Sequence, residues 1–365
     1  MSDPAARAGA ILDIDLGAIV ANWRLLAQMA APAECAAVVK ANAYGLGVAP
    51  VAAALAAAGC DRFFVATLDE GIALRRTLGR APEIAVFNGP LPGTAADFAE
   101  HALVPVLNHP GQIAEWESAA GGHPAMLHID TGMARLGLTA RDVAAFVAAP
   151  PRIRWRVVMS HLACADQPAA AMNEAQRRRF ATAAVLLPGV RLSLAASSGI
   201  FLGQRYHFDL VRPGAALCGV NPQPGGPNPL RQVVRLSAKI LQVRQIDRGE
   251  TVGYGAAHAM AAPGRVATVA VGYADGWLRS LSRRGGGTLA GRRVPLIGRV
   301  SMDLVTFDVS AVPEGLAQPG AMIELLGAGY GVDDAAADAG TIAYEILTAL
   351  GARYHRIYRP PDPPR

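Results

Sequence analysis

The sequence predicts an α/β protein with an N-terminal (β/α)8 TIM-like barrel and a C-terminal mainly β domain. Three observations carry this. Between residues 13 and 220, short apolar runs alternate with helix-spaced segments about eight times, the pattern of a parallel barrel. The stretch "VNPQPGGPNPL", 220–230, is rich in Pro and Gly and reads as a boundary; beyond it the texture turns strand-like. Finally, Lys40, Asp130, His161 and Arg212 all fall where predicted strands stop. In a parallel barrel the chemistry sits at those C-terminal strand ends. The expected domains are 13–225 for the barrel and 226–365 for the β domain, with residues 1–12 joining the latter.

Each element follows from its own pattern. "DLGAIVANWRLLAQMA" has helical spacing and opens on Asp15, a suitable N-cap. "CAAVV" is the first barrel strand, and the Ala-rich "VAPVAAALAAAG" after it is helical. "RFFVAT" is a strand, and "TLDEGIALRRTLG" is a helix that stops at Gly79. The strands "EIAVF", "ALVPVL", "AMLHID", "RVVMSH", "RLSLA" and "FDLVRPG" complete the barrel, with helices "TARDVAAFVAA" and "NEAQRRRFATAAVLL" among them. In the second domain, "VVRLSAKILQVRQI", "RVATVAVGY", "RRVPLIGRV", "LVTFDV" and "AMIELLG" are strand-like. Only "GTIAYEILTALG" looks helical there, and "RRGGG", 283–287, reads as a mobile surface loop.

The totals exclude several classes. With 52% apolar and 17% charged residues over 365 positions, the chain has ample core and is not disordered. The net charge of +5 is spread over scattered arginines, so no nucleic-acid partner is expected, only mild attraction for small anions. Cys35, Cys60, Cys164 and Cys218 form no C-x-x-C pair and sit in apolar surroundings, which predicts reduced, buried thiols and a cytoplasmic setting. "MSDPAARAGAILDIDL" lacks the pattern of a secretory signal, and no apolar run is long enough to span a bilayer, so no membrane association is expected.

Of the 34 lysines and arginines, only Lys40 and Lys239 are lysines. A primary amine condenses with an aldehyde and a guanidinium does not. At the mouth of an apolar strand, desolvation raises the neutral, nucleophilic fraction of such an amine. The plainer reading of Lys40 is a lysine snorkelling from a strand end.

The stretch "VVKANAYGLG" resembles the cofactor-lysine motif of the alanine racemases, fold-type III enzymes that use pyridoxal 5′-phosphate (PLP). "HIDTGMARLG", "SHLACAD", "DLVRPGAALCG", "ETVGYG", "VAVGYADG", "LIGRVSMD" and "TIAYEILTALGARYHRIY" match in the same order, over residues 38–358. The resemblance implies PLP as cofactor, L- and D-alanine as substrates, and a homodimer with shared active sites. Lys40 would hold the cofactor and serve as one acid/base. Tyr254, from the partner subunit, would serve as the other, because racemisation needs a proton removed from one face and returned to the opposite one. A phenol of pKa about 10 must be lowered for this role, and His161 is the matching neighbour. Taken alone, Tyr254 and His161 read as structural residues.

By the same resemblance Arg212 faces the pyridine nitrogen, and being unable to give up its proton it leaves that nitrogen unprotonated. The phosphate would be held by Tyr44, Ser198, the N–H groups of Gly214 and Ala215, and Tyr344, where small residues let donors approach an anion. Arg135 would pair with the cofactor phenolate or the substrate carboxylate. Met302 would offer its N–H to that carboxylate, and Tyr273 with Tyr344 would narrow the entrance toward a small side chain. The family's role in supplying D-alanine for peptidoglycan is implied, with a catabolic form as the alternative. "YGLG" lacks the G-x-G-x-x-G spacing of a dinucleotide site.

The sequence departs from the family pattern at three places. Leu46 stands where many members carry His, and Ser197 stands where Asn is usual. His128 stands where a carbamylated lysine often pairs with the arginine, and an imidazole forms no such stable carbamate. The expectation is that another anion, Asp130 or chloride, orients Arg135, or that His128 is neutral packing. Three alternatives stand beside this reading: a broad-specificity or serine racemase on this scaffold; a non-catalytic PLP carrier, which would lack the β domain; and a Schiff-base aldolase, which would leave Tyr254 and Arg212 unexplained.

Overall fold

The structure, a computed structural model, describes residues 3–120, 122–184 and 187–361. It divides into two compact units, residues 19–231 and residues 1–18 with 232–365.

In the first unit the eight predicted barrel strands are all present. A parallel sheet runs through Ala37–Val38, Arg62–Val65, Glu83–Val86, Val104–Leu107, Pro124–His128, Arg154–Met159 and Arg191–Ser193. The eighth strand, Leu210–Val211, pairs in parallel with Glu34–Cys35 on one side. On the other side Ala196 and Arg212 form a parallel bridge. The strand ring therefore closes. Its interior is filled by Ala36, Val38, Phe64, Val106, Met126, Val157 and Met159 among others. These strands are near-continuous apolar runs because both of their faces are covered.

Helices return between strands, with caps that the sequence announces. Asp15 Oδ1 accepts from Ala18 N at 2.7 Å at the head of Leu16–Ala30. Thr67 and Glu70 form a capping box on Leu68–Leu78, and Gly79 ends that helix at φ +70°. Ala140–Ala148 repeats the device with Thr139 and Asp142.

The second unit is built on an eight-stranded sheet. Val234–Ile246, 13 residues long, pairs near its start with Met322–Leu326 and Ala10–Asp15 and near its end with Gly264–Val269. That double pairing closes a circuit through Val305–Asp308, Arg292–Ile297 and Gly286–Leu289. His355–Arg359 joins Ala10–Asp15 in parallel at the edge.

Three expectations need correction. The 283–287 segment is not simply a surface loop, because Gly286–Leu289 is a largely buried strand. Its glycines hide β propensity but permit close approach: a Cβ on Gly287 would lie 2.7 Å from Ile323 Cγ2 and 2.9 Å from the Glu324 carbonyl. A second helix, Val332–Ala339, accompanies the expected one at Ala343–Ala349. It has no large apolar residue after Val332 to show a period, and its marks are Asp334 at the first turn and Gly340 at its end. Finally, Cys164 is only half-buried, whereas Cys35, Cys60 and Cys218 are buried; all are free.

Candidate active site

Lys40 begins an unusual turn. Ala41, Asn42, Ala43 and Tyr44 all have φ between +52° and +55°, and Gly45 continues at +83°. Successive left-handed L-residues cost about 1–2 kcal/mol each, so the surroundings must hold the turn. Glu70 does part of this. Its Oε1 accepts from Ala41 N at 2.6 Å, while its Oε2 accepts from Ala66 N at 2.8 Å. Asn42 Oδ1 accepts from Val48 N at 2.8 Å. The turn directs Tyr44 at the segment after the eighth strand. A Cβ on Gly214 would lie 2.1 Å from Tyr44 Oη, so only glycine fits there.

The Lys40 ammonium stands 6.0 Å from the centroid of Phe87, which stacks on Phe64 at 5.0 Å. Burial lowers its pKa below the usual lysine value, and the Arg135 charge adds to this against Glu70. Arg212 is 3% exposed. It donates through Nη1 to Ser193 Oγ and through Nη2 to the Ser160 carbonyl at 2.7 Å, with no carboxylate in an ion pair among the described residues. Burial draws its pKa to about 10, so it stays charged at neutral pH. His161, after Arg154–Met159, is pushed down to about 3 by burial and then by Arg212 and Arg135. It is therefore a neutral imidazole.

His128 is neutral too, and its tautomer is determined. Its Nδ1 lies 2.8 Å from Asn108 Oδ1. The Asn108 amide cannot be flipped, because its Nδ2 donates to the carbonyls of Phe87 and Val106, each at 2.9 Å. Nδ1 of His128 thus carries the hydrogen. Burial, then Arg212, lowers this group to about 4 against the opposing pull of Asp130.

Asp130 does not orient Arg135, which corrects one expectation. Its Oδ1 accepts from Gly132 N and Met133 N, both at 2.9 Å, and its Oδ2 accepts from Ala134 N at 3.1 Å. Burial alone would raise the Asp130 carboxyl, but these three amides hold it below its usual range. The carboxylate builds the loop that carries Arg135 and has no ion pair with it. Arg135 is exposed, with no side-chain hydrogen bond among the described residues.

Of the residues expected to hold an anion, Gly214 already gives its N–H to Ser197 Oγ. Ser198 is the second residue of the helix Ser197–Ile200, with no side-chain bond among the described residues. Ser197 is a residue the sequence reading undervalued: its Oγ accepts from Gly214 N at 3.0 Å and from Ala216 N at 3.2 Å. Those contacts hold the segment where Gly214 and Ala215 begin the turn Ala215–Cys218.

The remaining predicted residues lie in the other unit. Tyr254 starts the short turn Tyr254–Ala256 and is 72% exposed. A cavity of about 530 Å³ beside it is lined by Gly253, Tyr254, Arg299, Ser301, Leu304 and Thr306, among others. Tyr273 and Met302 are adjacent, since Tyr273 N donates to the Ser301 carbonyl and Ala274 N to the Met302 carbonyl, both at 3.0 Å. Arg353 clamps this pair of turns through Asp275 at 2.6 Å and Asp303 at 2.7 Å. Tyr344 lies on Ala343–Ala349, and it is exposed, as are Tyr273 and Met302.

The barrel mouth thus has the character of a lysine-dependent site for an anionic cofactor and a carboxylate substrate. It holds a depressed amine, one fixed guanidinium at Arg212, two neutral imidazoles and a glycine-lined turn. The chain belongs to the alanine racemase family, a family of isomerases. "Alanine racemase, N-terminal domain" matches residues 14–222 and "Alanine racemase, C-terminal domain" matches 233–358. It is 54% identical to an alanine racemase of Rhodospirillum rubrum, covering 96% of each chain. It is 50% identical to a catabolic alanine racemase of Mesorhizobium japonicum, over 97% of this chain and 94% of that one. The crystal structure of alanine racemase from Bartonella henselae with covalently bound pyridoxal phosphate superposes with a TM-score of 0.93. That match has 40% identity and covers 96% of this chain and all of that one.

Proposed function

We propose that this protein is a PLP-dependent alanine racemase that interconverts L- and D-alanine with two acid/base residues on opposite faces of the substrate. The observation that carries this is the half-buried Lys40 amine, with its pKa lowered by burial and by Arg135, at the mouth of a barrel that also fixes Arg212. These residues fit the cofactor. The Tyr44 hydroxyl packs so closely on Gly214 that a Cβ there would lie 2.1 Å from it, and Ser198 and the Ala215 N–H stand in the same turn region. Tyr344 is assigned to the phosphate by the resemblance alone. PLP, when bound, would draw electron density from the substrate α carbon.

The chain's own residues do the rest. Lys40 would hold the cofactor aldehyde and, once the substrate amine has displaced it, would as a free amine move a proton at the α carbon on one face. Tyr254 of a partner subunit would move it on the other, with neutral His161 as its hydrogen-bond partner. Arg212, charged at neutral pH, would face the ring nitrogen, which would limit electron withdrawal and disfavour side reactions such as transamination. Arg135 and the Met302 N–H hold the carboxylate, while Tyr273 and Tyr344 limit side-chain size.

The homodimer rests on the resemblance, which assigns Tyr254 and the Met302 N–H to the partner's active site. Free cysteines support a reducing, cytoplasmic setting, and no described helix is long and apolar enough to cross a membrane. For physiology we favour D-alanine supply for peptidoglycan; a gene deletion that grows without added D-alanine would point to a catabolic role instead. The test of activity is a chiral amino-acid panel in deuterium oxide. Alanine should exchange its α-proton and racemise in both directions, and faster turnover of bulky or basic amino acids would refute the substrate assignment.

A further inference from the structure

We infer that Gln176 is a positioning residue that holds His161 and the Arg135 loop in fixed relation to each other. It lies on the helix Ala171–Ala184 and is fully buried. Its Oε1 accepts from Ala163 N at 2.8 Å, and its Nε2 donates to the His161 carbonyl at 2.9 Å and to Thr131 Oγ1 at 3.2 Å. The amide orientation is dictated by its partners, since Ala163 N can only donate and the His161 carbonyl can only accept. One side chain therefore grips the backbone at His161 and two residues beyond it, together with the residue that follows Asp130.

The contacts extend on both sides. Thr131 Oγ1 lies 2.8 Å from Ser160 Oγ, and the Ser160 carbonyl accepts from Arg212. Arg179, one turn along the same helix, donates to the Thr131 carbonyl at 3.0 Å. At Gly132 a Cβ would lie 2.5 Å from Met172 Cε of that helix, so the loop is pressed against it. A buried amide in such a network is costly to lose, because its former partners are left unpaired. Small displacements of groups near a reacting centre are amplified in rate. Gln176 acts through His161 and Arg135, and so this inference rests on the roles given to them above.

The test uses the holoenzyme and two variants. Gln176→Met removes all three bonds at similar volume. We expect α-proton exchange to fall roughly 10- to 100-fold for the enantiomer that Tyr254→Phe blocks, with a much smaller loss for the other enantiomer. KM should rise as well. Thr131→Val removes the Thr131 bonds to Gln176 and Ser160 but keeps those of Gln176 to Ala163 and His161, so KM should rise about 3- to 10-fold with little directional asymmetry. A readout independent of activity is amide hydrogen exchange at Ala163, which should quicken at least about 10-fold in Gln176→Met. If that variant does not fold, Gln176→Glu keeps the acceptor for Ala163 but loses both donors. It should retain Ala163 protection while gaining the asymmetry. Equal loss for both enantiomers with unchanged KM, or unchanged Ala163 exchange in Gln176→Met, overturns the inference. A wild-type enzyme that exchanges no alanine proton overturns the assigned reaction instead, and the Ala163 measurement then decides the Gln176 contacts alone.

Discussion

Lys40 needs an amine, and neither charge nor bulk substitutes for it. Lys40→Arg should keep a cation at the barrel mouth yet give a colourless protein with no measurable racemisation, and absorbance spectroscopy of the purified variant checks this. Lysine's rarity made the position legible, since the chain writes almost every other cation as Arg. His128 was less legible. Its partner Asn108 is 20 residues away, just past the end of the strand Val104–Leu107, so nothing local in the sequence announces the bond. Asp130 could have been read better. An aspartate followed by "TGMA" is a local turn builder whose carboxylate takes the next backbone N–H groups. That use competes with pairing to Arg135, and the local use wins.

At the level of elements, the left-handed turn at 41–44 and its support by Glu70 distinguish this site from an ordinary strand-to-helix connection. Ala41→Gly should hold or raise stability by up to about 1 kcal/mol, because glycine relieves a positive φ at an exposed position. In a right-handed helix the same change would lower it, so a denaturation curve separates the two geometries. Glu70→Ala should cost about 1–3 kcal/mol, since it removes a helix cap and leaves Ala41 N without its acceptor. The capping box "TLDE" was visible in the sequence, but its second duty toward Ala41 was not, because it joins separate strand ends. All eight barrel strands were legible from apolar runs bounded by turns. The strand Gly286–Leu289 was not, because its glycines are chosen for close packing against the Ile323 and Glu324 strand and so mask its β character.

On the scale of the whole molecule, two neutral histidines impose a pH dependence. An unfolded histidine titrates near about 6.5, whereas folded His128 and His161 lie at about 4 and about 3. Above the unfolded value neither state binds the proton, and the folded protein keeps its full stability. As pH falls below it, the unfolded chain takes up protons that the folded one refuses. Stability should therefore decline steadily toward pH 4, and denaturant midpoints between pH 7 and pH 4.5 should show it. The exposed Tyr254, Met302 and Tyr273 belong to the same scale. Under the proposed sharing of Tyr254 and Met302 between subunits, activity should fall on dilution together with the dimer fraction, as sedimentation measured at the same concentrations would report.

The central claim is that two residues on opposite faces share one proton transfer. The most direct measurement is solvent deuterium exchange at the α carbon, followed separately from L-alanine and D-alanine in Tyr254→Phe with its cofactor bound. Exchange should be nearly abolished for one enantiomer and largely retained for the other, whose proton Lys40 removes. Equal exchange from both enantiomers at the wild-type rate would contradict the account, because Tyr254 would then move no proton.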